Sequence, residues 1–236
     1  MTLSRTVVLL RHSRERDDLA AQFLAANGFD LLNVYPGHGE ALPDPSDPAL
    51  AAAIVYGGLE SANDSQRGSS IPTELAWIEK WLATDRPYFG ICLGAQMLAK
   101  VLGARVAAHA QGLHEVGYTE VQPAAAASVF LSQRQFFYQW HNEAFEIPHG
   151  CRKLASGEVY NDQAFVYRGN AYAVQFHPEV TDAMLRHWLD SAGHLLAAAP
   201  GAQQVEKQLQ DGRRFTPPVQ RWLNGFLRDW LQLPTA

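Results

Sequence analysis

The chain has 236 residues, 47% of them apolar and 18% charged, enough to bury a full core, so it reads as a single domain over residues 1–236 rather than a disordered or fibrous chain. Its formal net charge is −5, with 19 Lys and Arg against 24 Asp and Glu, which argues against a nucleic-acid partner because phosphate binding needs a basic stripe. No apolar run reaches membrane-spanning length, the apolar start at Val7-Val8-Leu9-Leu10 is too short for a signal peptide, and the two cysteines, Cys92 and Cys151, suit a reducing compartment, so a cytoplasmic protein is expected.

Thr6–Leu10 is β-rich, and a helix-compatible stretch from Arg14 to Asn27 follows, closed by Gly28 as a C-cap. Leu31 to Tyr35 reads as a second strand, Pro36 to Pro48 as a loop, and Ala51 to Tyr56 as a third strand running into the turn Gly57-Gly58. Pro72 to Ala83 carries Leu75, Trp77, Ile78, Trp81 and Leu82 at helical spacing, enough to cover one face of a sheet. Pro87 to Ile91 then reads as a buried strand and Ala95 to Leu102 as a helix closed by Gly103. This recurrence of strand, glycine turn and helix predicts an α/β fold with a mostly parallel central sheet flanked by helices.

After Gly103 the pattern changes to short β-like runs: Arg105 to Ala108, Gly117 to Val121, Phe136 to Trp140, Lys153 to Ser156, Ala164 to Tyr167 and Tyr172 to Phe176. Such spacing predicts added antiparallel strands. From Thr181 the chain turns helical, is broken by Pro200-Gly201, and ends in an amphipathic helix bearing Val219, Trp222, Leu223, Phe226, Leu227, Trp230 and Leu231. Residues 183–236 are thus expected to form a C-terminal helical extension packed on the domain. The same apolar face would also suit a subunit contact, and a homo-oligomer is kept as the second reading.

The chemistry concentrates in two short segments. In Gly90-Ile91-Cys92-Leu93-Gly94-Ala95-Gln96 a cysteine sits between two glycines where a strand gives way to a helix. A sharp turn there would expose the sulfur, and the positive end of the following helix would favour its thiolate. A cysteine before a helix is also often a small buried hydrophobe. The second segment, Gln175-Phe176-His177-Pro178-Glu179, places an imidazole at a strand end with a carboxylate two residues on. His177 could take a thiol proton near neutrality and Glu179 could orient it, although His-Pro-Glu also serves as a turn into a helix. No set of histidines has metal-ligand spacing, and neither metal nor cofactor is expected.

Together these segments resemble the class I glutamine amidotransferases: the first looks like the family's nucleophile elbow and the second like its histidine and glutamate motif. Tyr56-Gly57-Gly58 resembles the glycine turn that supplies half of the family's oxyanion hole. Trp140-His141-Asn142-Glu143-Ala144-Phe145 and Asn161-Asp162-Gln163-Ala164-Phe165 bring the resemblance closest to stand-alone members similar to the amidotransferase domain of GMP synthase. The agreement in order and spacing runs over roughly residues 6 to 182.

The resemblance implies a flavodoxin-like fold and a Cys92, His177, Glu179 triad that hydrolyses the side-chain amide of glutamine through a cysteinyl thioester, releasing ammonia and glutamate. The backbone N–H groups of Gly58 and Leu93 would face the oxyanion, and Gly57, Gln96, Trp140 and His141 would line the substrate. Many family members carry Ser-His-Gly-Asp where this chain has Trp140-His141-Asn142-Glu143, which leaves the leaving group open. The residues after Glu179 hold no pyrophosphatase loop, so a separate synthetase subunit would accept the ammonia. The alternatives are a γ-glutamyl hydrolase or peptidase acting on a conjugate, and a silent regulatory or binding member of the fold.

Overall fold

The structure, a computed structural model, describes residues 5–124 and 130–234. The first half alternates strand and helix: β1 (Thr6–Leu10), α1 (Leu19–Ala26), β2 (Asp30–Val34), β3 (Leu50–Val55), α2 (Ile71–Leu82), β4 (Tyr88–Ile91) and α3 (Leu93–Val101). The second half adds β5 (Val106–Ala108), β6 (Glu115–Pro123), β7 (Gln135–His141), β8 (Glu143–Phe145), β9 (Arg152–Ser156), β10 (Ala164–Tyr167) and β11 (Ala171–Val174), then α4 (Asp182–Ala192) and α5 (Val205–Trp230). A 9-stranded sheet runs in the order β2-β1-β3-β4-β11-β10-β9-β6-β7, and β5 pairs with β8 in a separate ribbon.

The strands from β2 to β11 are mutually parallel, and β10, β9, β6 and β7 continue the sheet antiparallel. The parallel part is buried on both faces, as crossover helices require. Val7, Leu9, Ile54, Phe89 and Ile91 point to one face, where α1 and α5 supply Leu24, Leu223, Leu227 and Trp230. Val8, Leu10, Val55 and Tyr88 alternate onto the other, covered by Trp77, Ile78 and Trp81 of α2 and Leu98 of α3. A third cluster seats Met184, Leu185 and Leu189 of α4 on Val116, Tyr118 and Tyr138 of β6 and β7.

Element boundaries depart from the sequence expectations at two places that bear on the site. Helix α1 begins at Leu19 rather than near Arg14, because Asp18 is its N-cap, accepting from Ala21 N–H at 2.9 Å. Asp18 also accepts from Arg11 and Tyr56 at 2.7 and 3.0 Å, so residues 13–18 cross the strand ends as a loop. The strand expected to run from Tyr172 to Phe176 ends at Val174, which frees Gln175 and His177 to turn into the site. Helix α5 runs through Pro217 and Pro218, two residues without an N–H to donate, and aromatic packing holds it on both sides. Phe215 stacks on Phe136 before the prolines, with ring centroids 4.5 Å apart, and Trp222 meets Phe130 and Phe137 after them, at 5.2 and 5.0 Å. The apolar face of α5, with Val219, Leu223, Phe226, Leu227 and Trp230, is buried against the body of the protein. Among the described residues no helix is long and apolar enough to cross a membrane.

Candidate active site

The C-terminal ends of β1, β3, β4 and β11 converge on one edge of the sheet, where α/β folds place their sites. Cys92 occupies the N-cap of α3 with φ 50° and ψ −106°, a left-handed φ that a side chain adopts only under constraint. The constraint is visible on every side of the turn. Cys92 N–H donates to Val174 of β11 at 2.8 Å, and Tyr88 O–H donates to the Gly94 carbonyl at 2.9 Å. A Cβ on Gly90 would come within 2.6 Å of that same carbonyl oxygen, and one on Gly94 would overlap the carbonyl of Val55. The flanking glycines are therefore what lets β4, the elbow and β3 pack backbone to backbone. Leu93 opens α3, and its N–H is among the first-turn donors that a helix leaves without an intrahelical acceptor.

His177 lies just past β11, and its N–H donates to Tyr138 of β7 at 2.8 Å, which fixes the backbone behind the ring. Its Nδ1 meets Glu179 Oε1 at 2.8 Å, and the Cys92 sulfur lies near enough to the same imidazole to favour its charged form. Cys92, His177 and Glu179 are 5%, 5% and 2% exposed, so the series is almost closed to water. Burial disfavours the charged imidazole, but Glu179 and the Cys92 sulfur outweigh it and hold His177 protonated up to about 10. Glu179 is fixed in turn, its carbonyl accepting from Leu19 N–H at 2.8 Å. A sulfur, an imidazole and a carboxylate in this series can take up and return a proton while the sulfur carries an acyl group.

The turn after β3 closes the site from a third side. A Cβ on Gly57 would lie 2.7 Å from His177 Cε1 and 3.3 Å from Cys92 Cβ, so only a glycine leaves the pair undisturbed. Gly58 faces away from that pair, toward His12 and Glu60.

The remaining candidates take varied positions. The Gln96 amide donates to the Glu143 carbonyl at 2.7 Å and to Gln175 Oε1 at 3.4 Å, and Gln175 donates in turn to the Cys92 sulfur at 3.7 Å. Of the ring nitrogens of His141, Nδ1 hydrogen-bonds the Glu143 carbonyl at 3.0 Å, while Nε2 lies 3.1 Å from Glu115 without hydrogen-bond geometry. Trp140 is half-buried and meets Trp188 edge to face at 6.1 Å, and Trp188 meets His177 in the same manner at 5.2 Å. The thiol of Cys151 is pushed up to about 11 by burial. Among the described residues no three of His, Cys, Asp or Glu are grouped to hold a metal ion.

Gln175 and Trp188 were not singled out from the sequence. Gln175 carried a signal, being one polar residue within the apolar run Ala173-Val174-Gln175-Phe176. Trp188 carried none, since a tryptophan on an amphipathic helix reads as core.

Comparison with known proteins identifies the family and the fold. The family described as glutamine amidotransferase class-I matches residues 40–188, more than half of the chain. One of the subunits of the glutamine-hydrolysing GMP synthase of Sulfurisphaera tokodaii is 37% identical over 103 residues, 42% of this chain and 54% of that protein. The GMP synthase of Corynebacterium jeikeium is 30% identical over 194 residues, 75% of this chain and 35% of that one. The chain spans about half the length of the GMP synthase subunits it matches. A crystal structure of a glutamine amidotransferase from Thermotoga maritima superposes with a TM-score of 0.87 at 25% identity, over 97% of this chain and 99% of the other. One from Methylobacillus flagellatus shares the fold with a TM-score of 0.89 at 24% identity, over 100% and 97%. Elbow, imidazole and glycine turn thus fall within a fold and a matched segment of one kind, and the chain belongs to the class I glutamine amidotransferase family.

Proposed function

We propose that this protein hydrolyses the γ-amide of glutamine at Cys92. The observation that carries the reading is the buried series in which His177 lies between the Cys92 sulfur and the Glu179 carboxylate, with 2.8 Å to the latter. The Cys92 thiolate attacks the γ-carbonyl, and the oxygen takes the negative charge opposite the N–H groups of Gly58 and Leu93, each such donor contributing on the order of 3 kcal/mol. His177 passes its proton to the departing nitrogen, ammonia leaves, and a γ-glutamyl thioester remains. Water then gives its proton to His177 and its hydroxyl to the acyl carbon, releasing glutamate and the sulfur. Glu179 keeps the imidazole oriented and its charged form favoured throughout. Gly57 and Gln96 line the substrate, Gln96 through its links to Gln175 and the Glu143 carbonyl.

The relatives named as one of the subunits of GMP synthase support a separate synthetase that accepts the ammonia. A second reading, a γ-glutamyl hydrolase, is favoured by one observation. Trp188 and Trp140 set an aromatic wall beside His177, the group that protonates the leaving nitrogen, and such a wall would accommodate a bulkier amine.

The test is a screen of glutamine and γ-glutamyl amides with ammonia and amine readouts, alongside a glutamine-derived diazo-ketone as a label. Cys92→Ala is expected to abolish both turnover and labelling. Turnover that survives the substitution overturns the mechanism, and amine release without ammonia release selects the hydrolase.

A further inference from the structure

On the side of the glycine turn away from the triad lies a second buried cluster. His12, the second residue after β1, has a fully buried side chain with a carboxylate at each ring nitrogen. Nε2 is 3.1 Å from Glu74 of α2, itself fully buried, and Nδ1 is 3.3 Å from Glu60, which follows the turn. Both contacts are ion-pair approaches without hydrogen-bond geometry, so it is charge that holds the cluster together, and it is stable with His12 protonated. Burial works against that charge, yet the carboxylates of Glu60 and Glu74 raise His12 to about 9.

The cluster touches the turn directly. A Cβ on Gly58 would lie 2.7 Å from His12 Cβ and Cγ and 2.5 Å from Glu60 Oε2, so the backbone of residue 58 rests on this pair. The adjacent Gly57 rests on Cys92 and His177 from the other side. The turn is a single layer between two charged clusters, and His12 touches neither member of the triad's proton path.

We propose that His12, clamped by Glu60 and Glu74, is a positioning residue that holds the Gly57-Gly58 turn in register with Cys92, and so governs the rate of the chemical step rather than substrate affinity. This rests on the reading of the Gly58 N–H as an oxyanion donor. A donor displaced by a fraction of an ångström loses much of its effect on a charge that develops only in the transition state, and very little of the ground-state binding. The cluster makes this hold sensitive to pH. The charged and titratable groups around His12 are Glu60 beyond β3, Glu74 on α2, Tyr88 of β4 close to Glu74, Arg11 beside it on its own strand end, and His38 across a small cavity of about 50 Å³. Arg11 is itself committed to Asp18, Asn33 and the Glu15 carbonyl, at 2.7, 2.6 and 3.0 Å.

The experiment compares wild type with His12→Gln and Glu60→Gln in the full chain. Glu60 is partly exposed, so its variant keeps the question open to measurement where His12→Gln does not fold. For the γ-glutamyl amide that wild type hydrolyses best, kcat should fall about tenfold or more, a fraction of the loss on deleting an oxyanion donor, with KM within about twofold. Alkylation of Cys92 by iodoacetamide, which needs no oxyanion hole, should stay within about twofold. Wild-type kcat is expected to fall as pH rises through 9, and this fall should be absent from His12→Gln. Amide hydrogen exchange across residues 56–60 should accelerate about tenfold, while residues 90–96 keep their protection. Unchanged exchange at 56–60, unchanged kcat, or a parallel fall in kcat and alkylation each overturns the proposal. If wild type turns over no γ-glutamyl amide, the functional reading fails, and hydrogen exchange alone decides the positioning role.

Discussion

A carboxylate two residues past a histidine acts on the imidazole in two ways, by direction and by charge. In this site both are visible, since Glu179 Oε1 fixes Nδ1 at 2.8 Å and its charge is the leading influence raising the imidazole. Glu179→Gln keeps the shape and removes the charge, and the amide can also donate to Nδ1 and so select the wrong tautomer. The expected outcome is a loss of about 10² to 10⁴ in kcat, with a fall in stability below pH 10, where the imidazolium loses its partner. The pH dependence of kcat reports the charge separately. With His177 less able to stay protonated, the alkaline fall expected near pH 10 for proton transfer to the leaving nitrogen should move to lower pH. At this scale Cys92, His177 and Glu179 were legible because each stands in a short motif whose residues all serve one purpose. His12, Glu74 and Gln175 were not, because their roles come from burial. A histidine after a strand and a glutamate in a first helical turn are ordinary surface features until packing closes over them.

Elements bring these residues to within ångströms, and the tolerance is small where backbones touch. A Cβ on Gly94 would overlap the carbonyl oxygen of Val55, which cannot yield because β3 is hydrogen-bonded on both sides. Gly94→Ala must push α3 away from β3, and with it the elbow. Its expected cost is about 3 kcal/mol or more, as for other overpacked or strained core positions, read as a lower midpoint in urea. Phe226 makes a contrasting case on α5, with its ring 4.8 Å from Phe89, 5.1 Å from Tyr172 and 5.5 Å from Trp222. Phe226→Ala leaves a cavity rather than a clash, with an expected loss of about 3 to 5 kcal/mol and an intact triad, so alkylation of Cys92 at about 25 °C should be unchanged. The strand and helix periods of the first half were readable because each element covers a sheet face of its own. Strand β8, with three residues beside a turn, has no period to read, and its pairing with β5 is set by tertiary packing. The start of α1 departs from the sequence expectation for a related reason. Asp18 is a cap because Arg11 and Tyr56 hold its carboxylate, and Tyr56 comes to it from 38 residues away.

For the molecule as a whole, the order of the sheet gathers three buried ionic clusters at one edge: Arg11 with Asp18, His12 with Glu60 and Glu74, and His177 with Glu179 and Cys92. The two histidine clusters set how global stability depends on pH. Both imidazoles ordinarily titrate at 6.5 and are raised in the folded protein, His12 to about 9 and His177 to about 10. The folded state therefore binds more protons than the unfolded one between those limits, and its stability must fall as pH rises. The contribution is complete below 6.5, declines above it, and is gone once pH has passed 9 for His12 and 10 for His177. On the acid side Glu60 is held below its ordinary 4.5, chiefly by His12, so its share is present above that value and lost as pH falls further. Urea unfolding followed from about pH 5 to pH 10 should show the highest midpoint on the acid side of neutrality and a steady decline toward pH 10. In His12→Gln the part of the decline that ends near pH 9 should vanish, leaving that of His177. A midpoint in the wild type that stays flat from about pH 7 to pH 10 would show that neither imidazole is held protonated, and would remove the charged cluster from behind the glycine turn.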